Sequence, residues 1–269
     1  MKEIIVVGGG PAGISAAIYA RRSGLSVTVM YMNGGALEKA ASIENYYGFP
    51  GGISGTELIE RGHRQAEKLG ITLKNEEVVG LDFDGRFVVS TLEGQYKADG
   101  VILTMGSPRK VPKVRGIKEF EGKGVSYCAV CDAFFFRGKK VAVLGDGEYA
   151  NHEAQVLEPV AESVVMLPQH TVAAVEGNDL LEKVITKDGE EIPLDGLFVA
   201  MGSAGSTDLA RKLGAAVEGN RIMVDENMKT NVPYLYAAGD STGGLLQVAK
   251  AVHEGAVAGL TAVKELKQK

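Results

Sequence analysis

"KEIIVVGGGPAG" (Lys2–Gly13) decides the fold. Ile4 to Val7 is a continuous apolar run that predicts a buried strand, and Gly8, Gly10 and Gly13 follow at GxGxxG spacing. The alanine-rich stretch Ile14 to Arg22 then predicts a helix, and Val27 to Met30 the next strand. A strand, glycine turn, helix and strand in thirty residues fit a βαβ dinucleotide fold. Its glycines bring backbone N–H groups close to a pyrophosphate at the helix N-terminus. A tight structural turn without a ligand is the plainer alternative. The second strand ends at Tyr31 rather than at an acidic residue, so the usual carboxylate contact to a ribose is not expected.

Working outward, the chain repeats this plan. "KKVAVLGDGEYA" (Lys139–Ala150) echoes the opening stretch, and "LDGLFVAMGS" (Leu194–Ser203) echoes "ADGVILTMGS" (Ala98–Ser107). The duplication predicts an α/β protein of two Rossmann-like, three-layer ββα domains, the second inserted in the first. The first is expected at 1–110 and 232–269, the second at 111–231. Between Lys74 and Pro108, apolar and polar residues alternate around Asp84-Gly85 and Glu93-Gly94, as hairpin strands do, and the segment closes on a buried strand at Val101 to Thr104. Val232 to Leu266 reads as a last strand, a glycine turn carrying Asp240, and a long helix.

A chain of 269 residues with 45% apolar residues and 36 glycines can bury a sizeable core. A net charge of -5 gives no basic face for nucleic acid or an anionic membrane, and neither partner is expected. With no cleavable leader or long apolar run in view, the expected compartment is the cytoplasm.

Only two cysteines occur, Cys128 and Cys131, so a secreted disulfide framework is excluded. A zinc site would need about four ligands, and the four histidines, His63, His152, His170 and His253, are not paired at ligand spacing. No metal is expected. Two inert buried thiols or a redox pair remain. A CxxC opening a helical stretch favours the thiolate through the helix dipole, with a thiol pKa that falls to roughly 7 or lower. Asp132 follows directly, as an acid–base carboxylate or a helix cap. Phe134 to Phe136 read as core packing.

"GGGPAG", "GGALEKAASIENYYGFPGGISGTEL", "VSYCAVCDAFFFRGKKVAVLG" and "YAAGD" together resemble the low-molecular-weight thioredoxin reductases over almost the whole chain. The resemblance implies FAD as cofactor, thioredoxin as substrate and a homodimer. It assigns the FAD pyrophosphate to Gly8, Gly10, Pro11, Ala12 and Gly13. The flavin falls to Gly34, Gly35, Ala36, Leu37 and Asn45, and the ribityl and phosphate portion to Gly239 and Asp240. Gln247 and Val248 match the pair beside the isoalloxazine, with Leu246 where the family has arginine. Cys131 is implied to face the flavin, Cys128 to exchange with thioredoxin, and Asp132 to supply the proton.

The second turn departs from the family. Gly145, Gly147 and Ala150 keep GxGxxA spacing, which by family logic would bind NADPH, but Asp146 and Glu148 are carboxylates and Tyr149 is bulky. One carboxylate about 4 Å from a pyrophosphate charge costs up to roughly 4 kcal/mol at an effective dielectric near 20. The strand after the following helix also lacks the family's "HRR"-type clamp for a 2′-phosphate, having no arginine at all and no lysine before Lys183. These departures resemble the ferredoxin-dependent flavin thioredoxin reductases, and Arg109, Lys110, Lys113 and Arg115 are candidates for meeting an acidic donor protein. A dithiol oxidase, an NADPH-dependent reductase and a non-catalytic redox sensor are the alternatives.

Overall fold

A computed structural model of the chain describes residues 1–32, 35–106, 112–127, 129–201 and 205–268, without the side chains of Ala36, Val130, Cys131 and Glu148. The chain divides into two compact units, Met1–Pro108 with Gly205–Lys269, and Arg109–Ala204.

The first unit opens with β1 (Glu3–Val7), α1 (Pro11–Arg22) and β2 (Ser26–Met30). The helix starts at Pro11, ahead of the expected Ile14, because proline at the first helical position loses no intrahelical bond and presets φ. A 3-10 turn (Gly35–Lys39) leads to α2 (Gly55–Lys68), capped by Ser54 Oγ, which accepts the Glu57 N–H at 3.1 Å. After β3 (Thr72–Lys74) come β4 (Val78–Phe83), β5 (Phe87–Thr91) and β6 (Gln95–Ala98), an antiparallel sheet. Its hairpin turns fall at the two predicted acidic-glycine pairs, and β7 (Gly100–Leu103) follows.

The second unit runs β8 (Val125–Ser126), α3 (Ala129–Asp132), a 3-10 turn (Ala133–Phe136), β9 (Lys140–Leu144), α4 (Glu148–Leu157) and β10 (Ser163–Leu167). Three strands unannounced by the sequence follow, β11 (Val172–Gly177), β12 (Leu181–Thr186) and β13 (Glu191–Pro193), then β14 (Gly196–Val199). A parallel sheet in the order β10-β9-β14-β8 is the counterpart of the first unit's sheet, and β11-β12-β13 form an antiparallel layer. The duplicated stretches are therefore structural equivalents: β1 and β9 each enter a glycine turn and a helix, and β7 and β14 precede the two "MGS" segments.

The return to the first unit comes at Gly205, ahead of the 231/232 boundary expected from the sequence. Here α5 (Ser206–Lys212) ties back to β4, with Lys212 Nζ 2.6 Å from Asp82 Oδ2. No repeated motif marks this stretch, so the sequence carries no sign of the crossing. β15 (Val217–Glu218), β16 (Arg221–Ile222), β17 (Leu235–Ala237) and α6 (Val248–Gln268) complete the unit. Its parallel sheet has the order β17-β7-β1-β2-β3. The backbone of α6 lies directly on α1: a Cβ at Gly255 would stand 2.1 Å from the Ala12 carbonyl oxygen, and one at Gly259 2.5 Å from that of Ala16. Only glycine permits that approach, which brings the start of α6 to the glycine turn. No helix among the described residues is long and apolar enough to cross a membrane.

Candidate active site

The first glycine turn is shaped for close approach. Gly8 has φ +120°, and a Cβ at Gly13 would sit 1.9 Å from the Gly8 carbonyl oxygen. Gly10, the residue before α1, has open space where its Cβ would be, and no side chain caps the helix. The start of α1 is therefore uncapped by any side chain, with the positive end of the helix at the turn. Thr104 Oγ1, donating to the Val7 carbonyl at 2.9 Å, and His63 Nε2, 2.8 Å from the Gly9 carbonyl oxygen, brace the turn. Tyr31, standing where an acidic residue is usual, packs edge-on against His63.

Two predicted residues far apart in sequence meet: Asn45 Nδ2 donates to Gln247 Oε1 at 2.9 Å. Gly35 opens the 3-10 turn with φ +63°, and the Leu37 carbonyl lies so close to Gly55 that a Cβ there would stand 1.7 Å from it. Gly34 lies outside the described residues, as does the side chain of Ala36. Gly239, at φ +79°, packs on Ala12, and the Asp240 carboxyl reaches Gly106, where a Cβ would be 3.3 Å from Oδ2. Burial pushes the Asp240 carboxyl above its ordinary value; Lys250 opposes this and Glu254 adds to it. Val248 begins α6.

Lys250 and Glu254 are site residues that sequence reasoning missed. Glu254 Oε2 accepts the Gly239 N–H at 2.8 Å and the Thr242 hydroxyl at 2.9 Å, while Lys250 Nζ donates to the Gly239 carbonyl at 2.8 Å. They lock the "GD" turn. Their i, i+4 spacing at the start of a helix that follows "AAGD" was the available signal.

In the second unit, Cys128 lies outside the described residues, as does the Cys131 side chain. The CxxC helix α3 is four residues long, so the dipole argument for the thiolate loses most of its force: few peptide dipoles are aligned. Asp132 makes no side-chain capping bond; its Oδ2 instead accepts the Ser126 hydroxyl at 2.6 Å. Of the three phenylalanines read as core, only Phe136 is buried, against Phe198, whereas Phe134 and Phe135 are 71% and 68% exposed. The irregular 3-10 turn directs the first two outward.

A family model described as "Pyridine nucleotide-disulphide oxidoreductase" matches residues 2–169 and 159–255. The chain belongs to that family. It is 33% identical to the thioredoxin reductase of Aquifex aeolicus over 88% of this chain and 84% of that protein. The atypical thioredoxin reductase TRi from Desulfovibrio vulgaris Hildenborough superposes with a TM-score of 0.94 at 37% identity, covering 100% and 99% of the two chains. A ferredoxin-flavin thioredoxin reductase from Clostridium acetobutylicum gives 0.78 at 35% identity, with 100% of each covered.

FAD is the cofactor of this oxidoreductase. The uncapped start of α1, the open side of Gly10 and the locked Gly239-Asp240 turn fit it. The second glycine turn of the oxidoreductase is a different object. Gly147 precedes α4 as Gly10 precedes α1, and a Cβ at Gly145 would stand 2.2 Å from the Ala200 carbonyl oxygen, so the backbone plan is retained. Its side chains are turned to internal work: Asp146 Oδ2 accepts the Gln169 N–H at 3.1 Å, and the buried Tyr149 donates its hydroxyl to the Tyr127 carbonyl at 3.1 Å. Gln169 lies just beyond β10. The Glu148 side chain is outside the described residues.

Proposed function

We propose that the protein is a thioredoxin reductase that takes its electrons from reduced ferredoxin rather than from NADPH. The observation that carries the reading is the second glycine turn, where the Asp146 carboxylate is bonded across to Gln169. A dinucleotide pyrophosphate brought to that turn would meet a fixed negative charge and no arginine in return. Likeness to the Clostridium acetobutylicum ferredoxin-flavin enzyme supports the same donor.

The reaction is the reduction of the thioredoxin disulfide to a dithiol, consuming two electrons and two protons, with each ferredoxin giving one electron. FAD supplies the passage between one-electron and two-electron chemistry. The protein's own residues do the rest. Gly10, Ala12 and Gly13 hold the pyrophosphate with backbone N–H groups and the helix end, while Gly8, whose N–H is bonded to the Met30 carbonyl, and Pro11, which has no N–H, shape the turn against it. Gly34, Gly35, Ala36, Leu37, Asn45, Gln247 and Val248 line the flavin, and Gly239 and Asp240 hold the ribityl and phosphate portion. The Cys128 thiol attacks the thioredoxin disulfide, and Cys131 then closes on Cys128, releasing reduced thioredoxin. Asp132 holds the proton exchanged with the dithiol, its carboxylate set by the Ser126 hydroxyl. The exposed Phe134 and Phe135, beginning three residues past Cys131, offer the apolar surface a protein disulfide substrate requires.

Lys113 and Lys118 are exposed and available to an acidic donor, while Arg115 is engaged with Glu176 at 2.8 Å; Arg109 and Lys110 lie outside the described residues. A homodimer is carried by the family resemblance. The test is anaerobic reduction of thioredoxin with either reduced ferredoxin or NADPH as sole donor. Ferredoxin is expected to sustain turnover that slows steeply between low and physiological salt, because charge steering is screened within about 8 Å. Rapid turnover at micromolar NADPH would refute the reading. Oxygen consumption driven by dithiols, with no ferredoxin activity, would move it to the oxidase.

A further inference from the structure

In dinucleotide folds of this plan, a residue at the end of the second strand meets the ribose of the adenosine half, and a carboxylate there accepts the 2′-hydroxyl. Tyr31 holds that place, directly after β2. Its N–H donates to the Lys74 carbonyl at 3.0 Å, and its side chain is partly buried against the core of the first unit. The ring also crowds the glycine turn: a Cβ at Gly9 would stand 2.8 Å from both Cβ and Cγ of Tyr31. His63, from α2, meets the Tyr31 ring edge-on, with centroids 4.6 Å apart and planes at 60°. Its Nε2 lies 2.8 Å from the Gly9 carbonyl oxygen. A carbonyl only accepts, so the proton is on Nε2. The same Cβ would be 3.1 Å from that nitrogen. Gly9, which GxGxxG spacing leaves free to vary, is glycine here because two aromatic rings occupy its side-chain space.

We propose that the Tyr31 ring, packed on His63, is the adenosine contact of the FAD site, an apolar surface in place of the usual carboxylate–ribose hydrogen bond. An aromatic ring holds a nucleoside by stacking and apolar contact, and its removal costs about tenfold in affinity. A carboxylate reads the ribose hydroxyl instead, and is left unpaired when that hydroxyl is missing. A site built on Tyr31 is therefore indifferent to the 2′-hydroxyl. The exchange also takes a negative charge away from the neighbourhood of the pyrophosphate, where it would repel. The proposal rests on the pyrophosphate assignment at Gly10, Ala12 and Gly13 and is independent of the electron donor.

The test is equilibrium binding. The full-length protein is stripped of FAD and titrated with FAD or with ADP, which carries the adenosine and pyrophosphate without the flavin. Tyr31→Phe keeps the ring and should bind both within threefold of wild type. Tyr31→Leu keeps apolar bulk without the aromatic face and should weaken both about tenfold. Equal affinities in all three proteins overturn the role of the ring. Equal losses in the Phe and Leu proteins put the contact at the hydroxyl and overturn it as well, and a loss with FAD alone removes it from the adenosine. On the unmodified protein, where folding is not in question, 2′-deoxy-ADP should bind within threefold of ADP; a deficit of about tenfold means that a polar group grips the ribose, and the proposal fails. Gly10→Ala reads the pyrophosphate cradle separately. If it weakens ADP binding and Tyr31→Leu does not, the adenosine contact alone is wrong; if neither does, the pyrophosphate assignment falls with it.

Discussion

Substituting Gly13 by Ala tests the cofactor cradle at its tightest point. The new Cβ would lie 1.9 Å from the Gly8 carbonyl oxygen and 2.7 Å from Thr104 Oγ1. Real Cβ contacts stay near 3 Å or beyond, so something must yield by about 1 Å. The Gly8 carbonyl is ill placed to do so: Thr104 Oγ1 lies 3.2 Å from it, and Gly8 already holds a φ of +120°. The start of α1 must therefore back away, toward an α6 whose Gly255 has no room against Ala12. Overpacking of this kind costs about 1–3 kcal/mol, which for a domain of 150 to 250 residues lowers Tm by roughly 2–12 °C. Withdrawal of the helix N–H groups should cost one charge-assisted hydrogen bond, about 1.5–3 kcal/mol, or roughly ten- to hundredfold in FAD affinity. Differential scanning calorimetry and fluorescence titration of the apoprotein with FAD read the two effects. Gly10→Ala is the control, since its Cβ meets nothing within 4 Å in the protein. It should leave Tm almost unmoved and weaken FAD binding, because the proposed site puts the cofactor in that open space. A Gly13→Ala protein with wild-type Tm and affinity would refute the reasoning.

Three further outcomes follow from the same geometry. Asp132→Asn should slow thioredoxin reduction by roughly a hundredfold with little change in KM, and an unchanged rate would leave the Ser126–Asp132 bond a purely structural one. Phe134→Ser with Phe135→Ser should raise the KM for thioredoxin about tenfold while sparing turnover of a small aromatic disulfide; equal losses on both substrates would locate docking elsewhere. Burial would push the Glu265 carboxyl up, but hydrogen bonds from Lys229 and Tyr236 outweigh it and hold it below its ordinary value. Its contribution to stability is thus present above about pH 4.3, the ordinary glutamate value, and lost as pH falls from there through the depressed value. Glu265→Gln should flatten the acid limb of the Tm profile, and an identical slope in both proteins would show that the pair carries no such linkage.

The parallel sheets were legible because their strands are unbroken apolar runs ending in glycine turns, as at Ile4–Val7 and Val141–Leu144. The antiparallel layer of the second unit was not. β11 to β13 mix charged and apolar residues with register shifts at Val172/Ala174 and Glu176/Gly177, which blur the two-residue period on which strand reading depends. Phe134 and Phe135 were misread because three consecutive aromatics look like core whatever turn carries them. The Asn45–Gln247 contact spans 202 residues, and only the family resemblance put both at the flavin.

The two glycine turns show where such legibility stops. Gly8, Gly10 and Gly13 have the same spacing as Gly145, Gly147 and Ala150, and in both places the spacing announces the same thing: a strand, a sharp turn, and a helix packed hard on the sheet. The pattern encodes backbone geometry, and geometry alone does not choose a ligand. That choice lies in the positions between. In the first turn these are Gly9, Pro11 and Ala12, which leave the N–H groups uncovered; in the second they are Asp146, Glu148 and Tyr149, of which Asp146 bonds across to Gln169 and Tyr149 to the redox segment. Replacing Asp146 and Tyr149 together by glycine and serine should therefore loosen the segment around Cys128 before it creates any dinucleotide affinity, since the missing arginines would still be absent. NADPH-supported turnover in that double variant, approaching the ferredoxin rate, would show that the side chains had blocked a site otherwise complete.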